Sequence, residues 1–321
     1  MLQTEAALTR SSSVLVSIGM PVHNGERHLP DALDSLLRQT HEDFELLIAD
    51  NASTDGTEEI SRSYVARDKR VKYVRSRQNL GVVSNFNLVF RLTQGRYFKW
   101  ASSDDICEPQ FLADCLAVLQ SDASVVLACS RVGAIDQSGT ATPYPSAGGP
   151  KQTPAVDRRV DMAAAISPAA PDPVRRWQWM MANLWWTPLL YGLIRGDVLS
   201  RTPLHSAHFM GDHVLLAELA LHGRFYEVPE ELLYVRLHGG QTSRTKSARG
   251  RLAVSRPDRA RGPLLPLYLA WVYPERFLAH AASIHRAPLT NGQRIACYFE
   301  LTRTVAQWGR AKGKRLLGVV R

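Results

Sequence analysis

The sequence is poor in cysteine and contains no long hydrophobic run. Only four of its 321 residues are cysteines, and none forms a CxxC pair or has a histidine at zinc-finger spacing: Cys107, Cys115, Cys129 and Cys297. This pattern excludes a disulfide-stapled scaffold and a zinc ribbon, and it predicts free thiols in a reducing compartment. The longest apolar candidate, residues 263–273, falls short of the roughly 18 residues that a membrane-spanning helix needs.

An export signal is also missing from the first 13 residues, which are polar and lack a basic start followed by an apolar run. Together with the free thiols, this predicts a cytoplasmic protein, either dissolved or held at the inner face of the cytoplasmic membrane. The composition is otherwise that of an ordinary globular protein, with 45% hydrophobic and 21% charged residues.

Acidic residues are scarce towards the C-terminal end. From residue 248 onward there are 14 Lys and Arg against 3 Asp and Glu, whereas the preceding part has 25 against 27, so the net charge of +9 belongs to the tail. Basic clusters beside apolar side chains suit an anionic membrane surface, although a solvated, partly disordered tail explains the same composition equally well. No nucleic-acid recognition motif accompanies the charge, so nucleic acid is not an expected partner.

Short apolar or β-branched runs alternate with helix-like segments over the first 130 residues. We predict strands at residues 13–20, 44–49, 71–74, 96–101 and 124–129, and helices at residues 30–39, 54–67, 83–93 and 109–120. This alternation indicates an α/β fold with a mostly parallel sheet flanked by helices. Ligands of such sheets bind at the carboxyl ends of the strands, and unusual polar residues occur there: His23, Asn24, Asp50, Asp104 and Asp105.

The rest of the chain has a different composition. Residues 137–173 are rich in Pro, Gly, Ala and Ser and predict a long loop, and residues 177–193 are aromatic and apolar. A helix at 212–222, a strand at 232–237, a loop at 239–262 and a helix at 294–307 are predicted to follow. We expect a flexible N-terminus at 1–12, one domain at 13–245 with halves at 13–130 and 131–245, and a basic helical extension at 246–321.

Two adjacent carboxylates follow the fourth predicted strand. Asp104 and Asp105 supply the hard oxygen ligands that Mg²⁺ or Mn²⁺ prefers, with positions left for phosphate oxygens. A solvated acidic turn before the next helix explains the same residues. Asp50, at the end of the second strand, is placed to accept a hydrogen bond from a base or a ribose hydroxyl, or to form an Asx turn.

Several motifs occur along the chain in a specific order. They are VSIGMPVHN at residues 16–24, DNASTDGT at 50–57, QNLG at 78–81 with Asn85 after it, KWASSDDICEP at 99–109, YGLIR at 191–195, Gly211-Asp212, and residues 234–243. In this order they resemble family 2 glycosyltransferases, which have the GT-A fold with a nucleotide-binding half like the Rossmann fold. The resemblance covers about residues 14–243, and it rests on the order and spacing of motifs that are individually short.

The resemblance implies roles for individual residues. The nucleotide-sugar pocket would be lined by Pro21, Val22, Asn24, Glu26, Asp50, Asn85 and Asp104, with Asp50 reading the base. Asp104 and Asp105 would share the ribose and metal contacts, with a divalent cation, Mn²⁺ or Mg²⁺, as cofactor. His238 would approach the metal or the diphosphate, unless it is simply a structural histidine. Apart from the resemblance, the guanidinium groups of the adjacent Arg236 and Arg244 are suited to reach the phosphates.

A base and an acceptor site are implied as well. Asp212 would take the proton from the acceptor hydroxyl, unless it only caps the helix that follows it. Trp185 and Trp186 would contact the acceptor, whereas Trp177 and Trp179 fit a packed core. The expected function is inverting transfer from a UDP- or dTDP-linked sugar to a hydroxyl of a saccharide or lipid-linked acceptor, in the synthesis of cell-surface polysaccharide or glycan.

Ser102 departs from the family pattern, because many relatives have an acid at this position. The change weakens one ribose or metal contact or passes it to Asp105. His23 replaces an aromatic residue whose stacking its ring can retain. Two other functions stay open. A sugar-phosphate nucleotidyltransferase would use similar carboxylates, although no Gly-rich phosphate loop with a paired Lys or Arg follows the first strand. A non-catalytic scaffold has only Ser102 in its support.

Overall fold

The computed structural model describes residues 14–143, 171–182, 188–206, 211–239 and 265–316, without the side chains of residues 265–273 and 307–316. Its strands are β1 (Val16–Val22), β2 (Phe44–Asp50), β3 (Val71–Arg75), β4 (Tyr97–Trp100), β5 (Ile106–Cys107), β6 (Val125–Ile135), β7 (Leu193–Arg195) and β8 (Arg224–Arg236). Its helices are α1 (Leu29–Leu37), α2 (Thr57–Arg67), α3 (Val82–Arg91), α4 (Phe111–Ser121), α5 (Pro173–Ala182), α6 (Gly196–Leu199), α7 (Gly211–His222), α8 (Leu265–Arg286) and α9 (Asn291–Leu316), with a 3₁₀ turn at Pro188–Tyr191.

All eight of these strands belong to one sheet, in the order β3-β2-β1-β4-β7-β6-β8-β5. The pairs β2–β3, β1–β2, β1–β4 and β6–β8 are parallel. The short β7 runs antiparallel between β4 and β6, and β5 is antiparallel to β8. The predicted α/β fold with a mostly parallel sheet is therefore confirmed.

Helices cover the sheet on both faces, which explains why β2 is buried at all seven of its positions. Leu46 and Ile48 face a core shared with α1 and α4, whereas Leu47 and Ala49 face a second core shared with α3, α7 and the C-terminal helices. On the second face, α3 lies so close to β1 that a Cβ on Gly19 would come within 2.7 Å of Val89. Only glycine allows this approach.

Several elements differ in length from the sequence-based prediction. β6 continues to Ile135 and β8 starts at Arg224, because the two strands pair along most of their length. The three-residue β7 and the helix α5 were not predicted, since their residues carry no clear period. α2 begins at Thr57, three residues later than predicted. The four cysteines are free and buried.

The C-terminal helices pack against the rest of the molecule. Ile284, Cys297 and Leu301 are fully buried in the same core cluster as Phe98 of β4 and Leu216 of α7. The helical C-terminal part is therefore present, as predicted. Within the described residues, no helix has both the length and the apolar character needed to cross a membrane. The predicted loop at 239–262 and the N-terminal segment 1–12 lie outside the described residues, apart from residue 239.

Candidate active site

Loops that follow β1, β2 and β4 meet at one edge of the sheet, because these strands are parallel neighbours. In-register pairing places Val22 beside Asp50, so that both strands end at the same level. The β4 strand reaches this edge at Trp100 and leads directly into Ser102 and Asp104. Residues predicted from three separate motifs are therefore brought to one place.

The β1 and β2 loops brace each other through paired hydrogen bonds. The N–H of Asn24 donates to Oγ of Ser53 (2.9 Å), and Oδ1 of Asn24 accepts from the N–H of Thr54 (2.8 Å). Oε2 of Glu26 accepts from the N–H of Gly56 (2.7 Å). Asn24 and Glu26, both predicted to line the nucleotide pocket, are exposed at this edge, where they also fix the shape of the second loop.

Pro21 and Val22 have buried side chains, so the pocket meets β1 through its backbone rather than through these side chains. The carbonyl of Val22 accepts a hydrogen bond from the N–H of Asn51 (2.8 Å). Asn85 is also buried, and its Nδ2 donates to the carbonyl of Ala49 (2.8 Å). Its Oδ1 has no hydrogen-bond partner in the described structure. Asn85 thus lies behind the end of β2.

Asp50 is fully buried, and both of its carboxylate oxygens are engaged. Oδ1 accepts from the N–H of Ser53 (2.8 Å), whereas Oδ2 accepts from the Tyr73 hydroxyl (2.7 Å) and from the guanidinium of Arg75. Burial opposes ionisation of Asp50, but the hydrogen bonds from Ser53, Tyr73 and Arg75 outweigh it and lower the pKa of this carboxyl. Asp50 is therefore ionised beneath the nucleotide pocket.

Arg75 was missed by sequence reasoning, because a basic residue at a strand end is common. One-third of its side chain is exposed, and it also donates to the carbonyl of Ser53 (2.7 Å). Its guanidinium pairs with the Asp50 carboxylate and also lies 3.3 Å from the carboxylate of Glu58. The amides of Asn51 and Asn79 are hydrogen-bonded to each other nearby (3.0 Å), and Asn79 lies 3.2 Å from the ring nitrogen of His23.

Asp104 and His238 come together although 134 residues separate them. Nε2 of His238 lies 2.8 Å from Oδ2 of Asp104, and both side chains are partly exposed. The Ser102 hydroxyl donates to the other carboxylate oxygen, Oδ1. Ser102, which replaces the acid of many relatives, therefore orients Asp104. His28 packs against the His238 ring, with 5.2 Å between the ring centroids.

Asp105 points into the protein rather than towards the pocket. Only 9% of the residue is exposed, and its Oδ1 accepts from the N–H of Arg236 (3.0 Å). Burial and the neighbouring charge of Asp104 raise the pKa of Asp105 to about 8. Arg236 is also buried, and its guanidinium donates to the Asp104 carbonyl (2.9 Å) and to Asp31 (3.0 Å). The structure thus gives Arg236 protein partners in place of the phosphates expected from the sequence.

A buried lysine lies beneath the two acids. Lys99 is fully buried, donates to the carbonyl of Tyr191 and lies over the Phe111 ring at 4.1 Å. Lys99, Asp105 and Tyr191 line a small internal cavity with room for about one water molecule. The lysine supplies a positive charge close to the acidic pair.

The charges of the acidic pair and of the candidate base all act on Tyr191. Burial and then the charges of Asp105, Asp104 and Asp212 raise the pKa of Tyr191. Asp212 lies in the first turn of α7, with about 29% of its side chain exposed. Its Oδ1 is 3.9 Å from Nε2 of the buried His213.

The donor set fits a metal that arrives with a phosphate ligand. Among the described residues, no group of three His, Cys, Asp or Glu side chains forms a metal cage. Asp104 and His238 offer one carboxylate oxygen and one imidazole nitrogen, only 2.8 Å apart. Mg²⁺ and Mn²⁺ sites that hold substrate phosphates usually use one or two protein carboxylates and complete their coordination with phosphate oxygens and water.

Trp185 and Trp186, the predicted acceptor contacts, lie outside the described residues. Trp177 is fully buried and meets the ring of His280 edge-on at 5.4 Å between centroids. Trp179 is partly buried against the same core. Both positions agree with the packed-core interpretation of these two tryptophans.

Comparison with known proteins supports the resemblance in the motifs. Residues 17–164 match the sequence profile of glycosyl transferase family 2. An uncharacterized glycosyltransferase of Haemophilus influenzae is 24% identical over 253 residues, which are 71% of this chain and 67% of that protein. Chondroitin synthase of Escherichia coli is 34% identical over 125 residues, which are 39% of this chain but only 18% of that longer protein.

The fold resembles that of a solved structure. Residues 1–349 of S. aureus TarS, crystallised in complex with UDP, superpose with a TM-score of 0.61 at 15% identity. The match covers 94% of this chain and 75% of the TarS chain. At this identity the likeness concerns the fold alone, and the fold it supports is GT-A.

Proposed function

We propose that the chain is a family 2 glycosyltransferase, since residues 17–164 match the profile of that family and the fold resembles GT-A, and that it transfers a sugar, with inversion, from a nucleoside-diphosphate donor to an acceptor hydroxyl. The contact between Asp104 and His238, beside the edge where β1, β2 and β4 end, carries this proposal. The donor is UDP- or dTDP-linked, which is in keeping with the UDP bound by TarS. The acceptor is a saccharide or a lipid-linked saccharide, as suits relatives in polysaccharide synthesis.

The nucleotide binds over the ends of β1 and β2. Asp50 is buried and paired with Arg75, whose side chain is one-third exposed, and through Arg75 this ion pair recognises the base and the ribose. Asn24 and Glu26 shape the adjoining wall, and their cross-links to the β2 loop keep that wall in place before the donor arrives. A preformed wall reduces the entropy lost on binding.

The diphosphate lies beside Asp104 and His238, whose side chains contact each other (2.8 Å). When bound there with the donor, Mn²⁺ or Mg²⁺ neutralises the charge that develops on the leaving diphosphate. Asp104 serves as the carboxylate ligand, because Ser102 fixes its orientation and leaves Oδ2 directed towards His238. Asp105 supports this site from the interior through the backbone of Arg236.

Asp212 acts as the general base. Its carboxylate takes the proton from the acceptor hydroxyl as that oxygen attacks the anomeric carbon. Attack from the Asp212 side, opposite the departing diphosphate, inverts the configuration. The position of Asp212 in the first turn of α7, with part of its side chain exposed, supports this assignment. The acceptor contacts remain those that the resemblance implies, Trp185 and Trp186.

An anionic membrane surface is the second partner that we propose. Ile295 and Phe299 lie one turn apart on α9, with 69% and 71% of their surface exposed. The last turns of the same helix carry four cations, Arg310, Lys312, Lys314 and Arg315. Exposed apolar residues followed by a basic run suit a membrane interface, where a lipid-linked acceptor would be found.

A binding experiment tests the donor site. We expect calorimetric titration with UDP, dTDP and GDP to show one preferred nucleotide whose affinity rises with Mn²⁺. Asp104→Asn should lower the metal-dependent affinity by at least about tenfold. Asp197→Asn is the matched control, because Asp197 is an exposed carboxylate whose side chain pairs, in the described structure, only with Arg201 just beyond the end of α6.

Product analysis completes this test. Release of a nucleoside diphosphate, abolished by Asp212→Asn without loss of nucleotide binding, is the expected result. Release of pyrophosphate would instead indicate nucleotidyl transfer. Binding of none of the three nucleotides, or full turnover by Asp212→Asn, would contradict the site as proposed.

A further inference from the structure

A buried carboxylate in α7 has no part in the chemistry proposed above. Glu218 is fully buried, six residues after the candidate base Asp212 on the same helix. In the described structure its side chain bonds only to α8, which comes from the C-terminal extension. Oε1 accepts from Nε of Arg286 (2.9 Å), and Oε2 accepts from Nη2 of Arg286 (2.7 Å) and from the Ser283 hydroxyl (2.8 Å).

The geometry of this contact restricts how α7 can move. A guanidinium that donates two parallel bonds to one carboxylate tolerates little rotation or sliding. Arg286 is the last residue of α8, where a positive charge also interacts favourably with the helix dipole. Ser283 is fully buried and occupies one turn earlier on the same face. The three side chains therefore fix both the rotation and the axial position of α7 relative to α8.

The rest of α7 has a weaker directional restraint. Ten of its twelve residues are buried, most of them Leu, Ala and Val, whose side chains pack without directional bonds. One bond reaches the backbone of this helix, from Nε of Arg176 to the carbonyl of Ala220 (2.6 Å). A helix with an apolar surface all round can shift between similar packings at small cost. Asp212 lies about 9 Å along the helix axis from Glu218, so a small rotation at Glu218 displaces the Asp212 carboxylate from the acceptor.

We infer that Glu218, Arg286 and Ser283 form a lock by which the C-terminal extension positions the catalytic base. Glu218 and Arg286 are positioning residues, since neither touches the substrate. The inference rests on the proposed role of Asp212. It makes α8 necessary for turnover, although α8 lies outside the segment that carries the family motifs.

The test compares Arg286→Met with Arg303→Met in the full chain. Arg303 is the matched control because it also bonds a buried carboxylate through two nitrogens, but its partner Glu300 lies on the same helix, α9. Three quantities are measured: UDP affinity with Mn²⁺, hydrolysis of UDP-, dTDP- and GDP-sugars with water as the acceptor, and hydrogen exchange of the amides in residues 211–222.

For Arg286→Met we expect donor hydrolysis to fall on the order of tenfold or more while UDP affinity stays within about twofold, because base placement and donor binding are separate. Exchange in residues 211–222 should accelerate, and Arg303→Met should match the wild type. Unchanged hydrolysis and exchange in Arg286→Met would overturn the lock. A parallel loss of UDP affinity and hydrolysis would also overturn it, since that indicates general destabilisation.

Arg286→Lys decides the case if Arg286→Met does not fold. Lysine keeps the charge beside Glu218 but loses the two-bond fork. A folded Arg286→Lys variant with reduced hydrolysis supports the lock, and one with wild-type hydrolysis and exchange overturns it. If the wild-type protein hydrolyses none of the donors, the result counts against the proposed function instead. The hydrogen exchange of the α7 amides in the variants and the wild type then decides by itself whether the lock exists.

Discussion

His205 shows how single residues near the site depend on partners distant in sequence. The Asn87 side chain binds the His205 backbone on both sides, donating to its carbonyl (2.8 Å) and accepting from its N–H (3.0 Å). The imidazole is enclosed edge-on by Trp100 and Phe86. Burial lowers the pKa of His205 to about 4, so the ring is neutral at pH 7.

This histidine makes stability depend on pH. The unfolded chain binds a proton at His205 near pH 6.5, whereas the folded chain binds it only near pH 4. Between these values unfolding takes up a proton, so stability is present above pH 6.5 and is lost as the pH falls towards 4. The loss amounts to at most roughly 3 kcal/mol.

Urea unfolding at pH 7 and at pH 4.5 measures this effect. We expect the difference between the two free energies of unfolding to be smaller in His205→Gln than in the wild type. The exposed His285 of α8 serves as the control, and His285→Gln should leave the difference unchanged. An equal pH dependence in His205→Gln and the wild type would show that other groups dominate the acid transition.

Ser102 is a second residue whose role only its surroundings reveal. Because a serine stands here in place of an acid, the sequence predicts a weaker metal or ribose contact. The structure shows its hydroxyl bonded to Asp104, and the Tyr191 side chain lies within hydrogen-bonding reach. A small neutral donor at this position orients Asp104 without adding a third negative charge to the acidic pair.

At the level of elements, the loops after β1 and β2 act as one unit. Thr57 is fully buried at the start of α2, and its Oγ1 accepts from the N–H of Gly25 in the opposite loop (2.9 Å). The same hydroxyl donates to Asp55 (2.6 Å), and Asp55 accepts from the N–H of Glu26 (3.1 Å). Each loop therefore supplies the hydrogen-bond partners of the other.

Thr57→Val should separate the two loops. Valine has nearly the same shape but leaves the N–H of Gly25 without its partner, which should cost about 1–3 kcal/mol of unfolding free energy. Nucleotide affinity should fall as well, because the pocket wall loses its support. Both are measured by urea unfolding and UDP titration. The control is Thr302→Val, since Thr302 is exposed on α9 and donates to the Phe299 carbonyl. Equal stability of both variants would contradict the brace.

At the scale of the whole molecule, the excess positive charge is concentrated in the C-terminal part of the chain. The part before residue 248 is close to neutral, whereas the remainder carries the excess of Lys and Arg. Half of this extension is bound into the core through residues such as Ile284 and Leu301. The outer face of α9 keeps Ile295 and Phe299 in solvent. The helix pair thus has one face in the core and another face that is exposed, apolar and followed by cations. The exposed face is suited to bind the surface of another body.

Vesicle co-sedimentation tests this surface. We expect wild-type protein to bind vesicles that contain phosphatidylglycerol, less so in high salt, and not to bind phosphatidylcholine alone. Ile295→Ser/Phe299→Ser should weaken binding at least about tenfold, because two apolar side chains are lost from the interface. Leu92→Ser is the control, since Leu92 is 51% exposed on a different part of the surface. Wild-type protein that stays in the supernatant with both lipids would refute the membrane proposal.

Local physical chemistry by itself determined much of this protein. Runs such as residues 44–49 and 71–74 have the residues of strands, and they alternate with segments of helical period. The parallel sheet and the edge that carries Asp50 and Asp104 therefore follow from nearest neighbours in the sequence. Tertiary structure alone decided which residues meet there. His238 reaches Asp104 across 134 residues and Arg286 reaches Glu218 across 68. Asp105 is turned inward and buried. Burial depends on which elements pack against a residue, and this is a property of the assembled fold.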